Sequence, residues 1–162
     1  MSWRRPLPDV VRAVPLVPGD RRLGWALTMQ GQPVIAAEHH LLLPGSEPLP
    51  WWQVARAGWE RPRLAVTVVA PVDGTGHSVE VELAEDDGGL PDLIRTRVTA
   101  SVAWSSKTRL SSAGSVRVVG RRRPDREALE WQLVYDREAD RHDPASVAEA
   151  EQLLDNARRT IG

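Results

Sequence analysis

The sequence predicts an α+β fold, mainly β, in which about seven short strands precede one amphipathic C-terminal helix. Three observations carry this reading. Apolar residues recur with period two in short runs between breaks rich in Gly, Pro and Asp. Trp51, Trp52 and Trp59 crowd one stretch between two apolar runs, and large rings at a strand start plug one end of a small β-core. From Asp143 onward, apolar residues switch to helical spacing behind an N-capping aspartate.

Residues 1–20 read as a Pro-rich lead-in ending at Pro18-Gly19-Asp20. Val10, Val11, Val14, Leu16 and Val17 are too apolar for a pure tail and suit a flap lying along one domain that spans 21–162. Leu23 to Met29 forms the first strand, with Leu23, Trp25, Leu27 and Met29 on one face. Gln30-Gly31-Gln32 turns the chain into a second strand, Pro33 to Ala37. Glu38 to Leu43 is the third, closed by Pro44-Gly45, and the Trp cluster starts the fourth, with Gly58 as a candidate bulge. Leu64 to Ala70 is an apolar fifth strand, and Asp73-Gly74-Thr75-Gly76 is a turn signal. His77, Val79, Val81 and Leu83 then alternate with Ser78, Glu80, Glu82 and Ala84, giving a half-buried strand with an acidic outer face. Asp86-Asp87-Gly88-Gly89 ends that unit.

Residues 91–104 fit either a helix or a strand, because Ile94, Val98 and Val102 are four apart. Pro91 suits a first helical turn, and a helix is the reading adopted. Val116 to Val119 and Leu129 to Tyr135 form a hairpin with Arg121 to Arg126 at or near its turn. The final helix runs over 144–161, with Asp143 as N-cap and Pro144 at its first position. Val147, Ala150, Leu153, Leu154, Ala157 and Ile161 make its apolar stripe, and Arg158 and Arg159 sit where the helix dipole favours cations.

At 162 residues the chain suits one domain with a sizeable core. It has no Cys and no Phe, so disulfides and thiolate chemistry are excluded and seven Trp supply nearly all the aromatic volume. No apolar run approaches the ~18 residues that span a bilayer. Prolines interrupt the segment after Arg4-Arg5, so a cytoplasmic location is the expectation. The net charge of −1 hides segregation: residues 73–92 carry only acids and residues 93–123 only bases.

The stretch Leu23-Gly24-Trp25-Ala26, Pro33-Val34-Ile35-Ala36-Ala37, Leu41-Leu42-Leu43, Leu49-Pro50-Trp51 and Trp59 resembles the bacterial PH-like domain family, especially small actinobacterial proteins of undefined function. Leu90-Pro91, Arg95 to Val98 and Arg121-Arg122 extend the resemblance. It implies a strongly bent sheet or partly open β-barrel capped by the last helix, and no enzyme activity. Lipid-binding eukaryotic members place cations in the first strand–strand loop. Here that loop is Gln30-Gly31-Gln32, with only Arg21 and Arg22 at the strand start, so head-group binding by that route is not expected.

Glu38-His39-His40 offers ligand types for a metal, yet adjacent strand residues point to opposite faces, and His77 and His142 join only by folding. No metal and no cofactor is expected. Ser105-Ser106 and Ser111-Ser112 lack a nucleophile-elbow context, Asp86-Asp87 has no apolar neighbours to raise a pKa, and neither Gly-rich turn leads into a phosphate-binding helix. Two partner-binding candidates stand out. Trp52, next to an inward Trp51, points outward on a strand, either to a partner or beneath residues 6–17. Arg117, Arg121, Arg122 and Arg123, extended by Arg95, Arg97, Lys107 and Arg109, form a basic hairpin that either pairs with the acidic strand or meets an anion. The expectation is a non-catalytic binding or scaffolding protein whose partner is another protein or a second copy. The alternative is an anionic surface, with nucleic acid disfavoured for want of stacking aromatics and peripheral membrane contact left open.

Overall fold

The computed structural model describes residues 5–69 and 76–162. These residues fall into two compact units, the first drawn from 5–68 and 76–99 and the second from Val69 and 100–162. The chain is mainly β. Among the described residues ten strands, in place of about seven, form three sheets and no closed barrel.

In the first unit, a short helix α1 (Asp9–Arg12) precedes an antiparallel sheet of β1 (Arg22–Leu27), β2 (Pro33–Ala37), β3 (His40–Leu42) and β4 (Leu49–Pro50), in that order. A 3₁₀ turn (Trp51–Gln53) leads to a second sheet of β5 (Val54–Glu60), β6 (Arg63–Val69) and β7 (Gly76–Glu82). Helix α2 (Leu90–Ala100) follows. The core gathers Ala26, Val34, Leu41, Trp51, Val66 and Ile94, among others.

In the apolar lead-in, α1 packs on β2 and Val11 is fully buried. The turn at Gln30-Gly31-Gln32 forms with Gly31 at φ +79°, a conformation that favours glycine. The Val79, Val81, Leu83 alternation also holds, its outer Glu80 and Glu82 being exposed. Asp73 to Thr75, and Ala70, lie outside the described residues.

Several expectations change. The face of β1 that enters the core carries Ala26, with Thr28 beyond it, while Met29 is exposed and Leu23, Trp25 and Leu27 are half-buried. The reason is size. A Cβ at Gly24 would fall 2.5 Å from Leu93 Cδ2, so the small residues are the ones that let α2 approach. Trp25 is instead covered by the Arg5 guanidinium, 3.9 Å from the ring centroid. The third strand shrinks to His40–Leu42, the bulge in β5 falls between Val54 and Arg56, and Gly58 pairs in register with Ala65.

In the second unit, β8 (Val102–Arg109), β9 (Ser115–Arg123) and β10 (Arg126–Tyr135) form an antiparallel sheet in the order β10-β9-β8. Helix α3 (Pro144–Ile161) packs chiefly on β9 and β10. Its bounds match the sequence reading, and the Asp143 carboxylate accepts from the Ser146 amide at 3.1 Å. Ala150 and Ala157 are buried and Leu153 and Leu154 half-buried, but Ile161 is 42% exposed. Ser146 takes the buried place near the helix start, its hydroxyl 2.6 Å from that of Ser112. Trp104 and Trp131 meet edge to face with ring centroids 5.7 Å apart. The helix expected over 91–104 ends at Ala100, and its last residues open β8.

Candidate functional site

Trp52 is removed from the exposed surface. It is 8% exposed and Trp51 is 5% exposed. The expectation of an outward Trp52 assumed strand alternation, whereas both rings sit on a 3₁₀ turn, where neighbouring residues need not face opposite sides. The cue was Pro50, which starts a helical turn as readily as it ends a strand.

The basic hairpin is divided by its own pairing. Its turn is Pro124-Asp125, so Arg121 lies within β9 and not at the tip. Arg121 is only 3% exposed, donates to Gln132 Oε1 at 3.0 Å and to Ser101 Oγ at 2.6 Å, and burial pushes its pKa down to about 10. Arg122 donates to the carbonyls of Ala100 and Val102. Arg123 bridges Asp125 and Glu130 at 2.7 and 2.8 Å. Arg117 and Arg122 stay exposed, and Arg117 is bonded to Ser105 Oγ at 3.2 Å.

Lys107 lies directly opposite Arg117 across the β8–β9 pair, and Arg109 lies opposite Ser115. With period-two alternation, Ser105, Lys107, Arg109 and Arg117 share the sheet face that α3 does not cover. All four are exposed, and the three cations make no ion pair among the described residues. The nearest compensation is electrostatic. The Asp136 carboxyl is held below the usual carboxylate range by the Ser115 amide first and also by the Lys107 charge. Like charges directly opposite each other destabilise a sheet, so this strip favours an incoming anion.

The opposite face of β8 opens on a groove of about 240 Å³ beside α3. Trp104, Val118, Leu153, Ala157 and Ile161 give it apolar walls, and Ser106 and Thr108 line its β8 side. Sequence reasoning missed the groove because Ser105, Ser106, Lys107 and Thr108 carry no apolar alternation, so this strand went unrecognised.

The two adjacent histidines separate as expected. His39 is exposed, whereas His40 Nδ1 lies 2.8 Å from Asp20 Oδ2, and the Asp20 side chain is 1% exposed. Asp20 Oδ1 accepts from the amides of Arg21 and His39, both at 2.9 Å. Burial by itself raises the Asp20 pKa, but those two amides and His40 outweigh it and hold the carboxyl below its ordinary value. A folded-state pKa lowered in this way adds stability above the unfolded carboxyl pKa of ~4, lost as pH falls through the folded value. Asp20→Ala is therefore expected to cost about 2 kcal/mol at pH 7. Chemical denaturation at pH 7 and pH 3 should show that gap narrowing in acid, and a gap independent of pH would contradict it. Among the described residues no group of three His, Asp or Glu could hold a metal ion, and the Asp20–His40 pair clasps the end of the lead-in to β3.

Comparison with protein-family models, with curated proteins and with solved structures found no match for this chain.

Proposed function

We propose that the chain is a non-catalytic binding module that engages another protein through the β8 side of its second unit. One observation carries the reading: β8 offers an apolar groove on one face and the exposed Lys107 and Arg109 on the other, joined there by Arg117 of β9. Apolar area with a polar, charged rim is the usual composition of a protein interface. The bent-sheet PH-like resemblance agrees with a binding role but adds no site, because Trp52 is buried. A cytoplasmic setting belongs to the same proposal. No helix among the described residues is long and apolar enough to cross a membrane.

The anionic-surface alternative is favoured by the Lys107, Arg109 and Arg117 strip. It is weakened because Arg121 is buried and Arg123 is paired with Asp125 and Glu130, which breaks up the run of arginines, where nucleic-acid binding draws on a longer series of phosphate contacts. A second copy of the chain is the homo-oligomeric form of the protein-partner reading.

The Lys107→Glu/Ile161→Glu variant alters one residue of each face, both exposed, and should keep its circular dichroism spectrum. Proteins recovered specifically on the wild-type chain are expected to fall by about tenfold or more on the variant. Equal recovery would overturn the reading. Loss of nucleic acid alone, at moderate salt, would favour the alternative.

A further inference from the structure

We propose, building on the protein-binding reading, that β8 is an acceptor edge: an extended partner segment alternating acidic and apolar residues adds to it as a fourth, antiparallel strand. The hydrogen-bond register defines which groups are free. The Leu110 amide donates to the Gly114 carbonyl, and Asp136 N donates to Ser115 O on the far side of β9. In an antiparallel ladder, inward and outward residues alternate. Thr108, Ser106 and Trp104 therefore bond inward to Val116, Val118 and Gly120, and the N–H and C=O groups of Ser105, Lys107 and Arg109 point outward. Among the described residues no strand pairs with this edge. The three side chains are exposed, so solvent reaches it.

The chemistry of the guest follows from the two faces. Guest residues opposite Ser105, Lys107 and Arg109 share the face bearing Lys107, Arg109 and Arg117, which selects carboxylates. The guest residues between them fall on the groove side, beside Trp104, Thr108 and Ile161, which selects apolar side chains. The same cations exclude the commonest rival. A second copy pairing β8 against β8 would set Lys107 and Arg109 against each other, and opposed like charges deter edge-to-edge association.

The probe is a soluble seven-residue peptide alternating Glu and Val, titrated into the ¹⁵N-labelled full chain, with N-methylation used to remove chosen peptide donors. Peptide methylated on the Val nitrogens, which face away from β8, should bind as the parent does. Peptide methylated on the Glu nitrogens should bind at least about tenfold more weakly. The bound parent should protect the Ser105, Lys107 and Arg109 amides from hydrogen exchange. The Lys107→Glu/Arg109→Glu chain should prefer the matching Lys/Val peptide. Equal binding of the two methylated peptides would reduce the contact to charge alone and overturn strand addition. So would absence of binding at millimolar peptide, or a dimer whose outward β8 amides are protected without peptide. None of these results touches the wider reading, which fails if wild type and the Lys107→Glu/Ile161→Glu variant recover the same proteins.

Discussion

Trp51→Ala is expected to lower the unfolding free energy by about 3–5 kcal/mol, the range for deleting a buried aromatic side chain. The ring is 5% exposed in the core of the first unit, and its Nε1 donates to the Ala37 carbonyl at 3.0 Å. Two losses combine. The cavity forfeits packing against the sheets, and the carbonyl at the end of β2 loses its donor in a buried setting. Trp51→Phe separates them, because it keeps much of the ring and removes only the donor; its cost should be about 1–3 kcal/mol. Urea denaturation followed by circular dichroism measures both variants. Domains of this kind are stable by only about 5–15 kcal/mol, so Trp51→Ala should leave a visibly weakened protein. A cost below about 1 kcal/mol would mean that the ring does not hold the strand end as described.

Arg121→Ala should cost about 2–4 kcal/mol, for a different reason. Arg121 is 3% exposed and its guanidinium remains protonated at neutral pH, since its pKa of about 10 lies well above 7. Truncation takes one hydrogen-bond donor from Gln132, itself 2% exposed, and one from Ser101, while opening a cavity. The double variant Arg121→Met/Gln132→Leu replaces both partners by apolar groups and should recover much of the loss, because removing a buried polar pair together costs less than orphaning one member. If Arg121→Ala is instead neutral while anion binding disappears, Arg121 belongs to a ligand surface and the burial argument fails.

The sequence was most legible where one local rule acted alone. The last helix was readable to the residue, because Asp143, Pro144 and the apolar stripe all mark one element. The strands β2, β6 and β7 were readable from apolar runs or from alternation between Val and polar residues. Reading failed where small or polar residues carry tertiary roles. Gly24 and Ala26, not the larger Trp25, face α2 and the core, since close packing selects size as well as polarity. The strand that bears the proposed surface, with its Ser-Ser-Lys-Thr run, resembles a loop because one face is solvated and the other only half-covered. Charge misled for a related reason. Four arginines look alike in a string, but β9 turns Arg121 into the interior, engages Arg122 and Arg123 with local partners, and leaves Arg117 outward. The role of Arg5, which stacks on Trp25 and pairs with Asp86, depends on residues distant in sequence and left no local signal.

The most direct test of the binding surface is a hydrogen-exchange footprint of the chain with a partner recovered on it, compared with the free chain. Protection concentrated in residues 102–109 and in the end of α3 near Ile161 is the predicted result. Protection confined to residues 49–59 around Trp52, with 102–109 unchanged, would contradict the account and return the search to the tryptophan cluster.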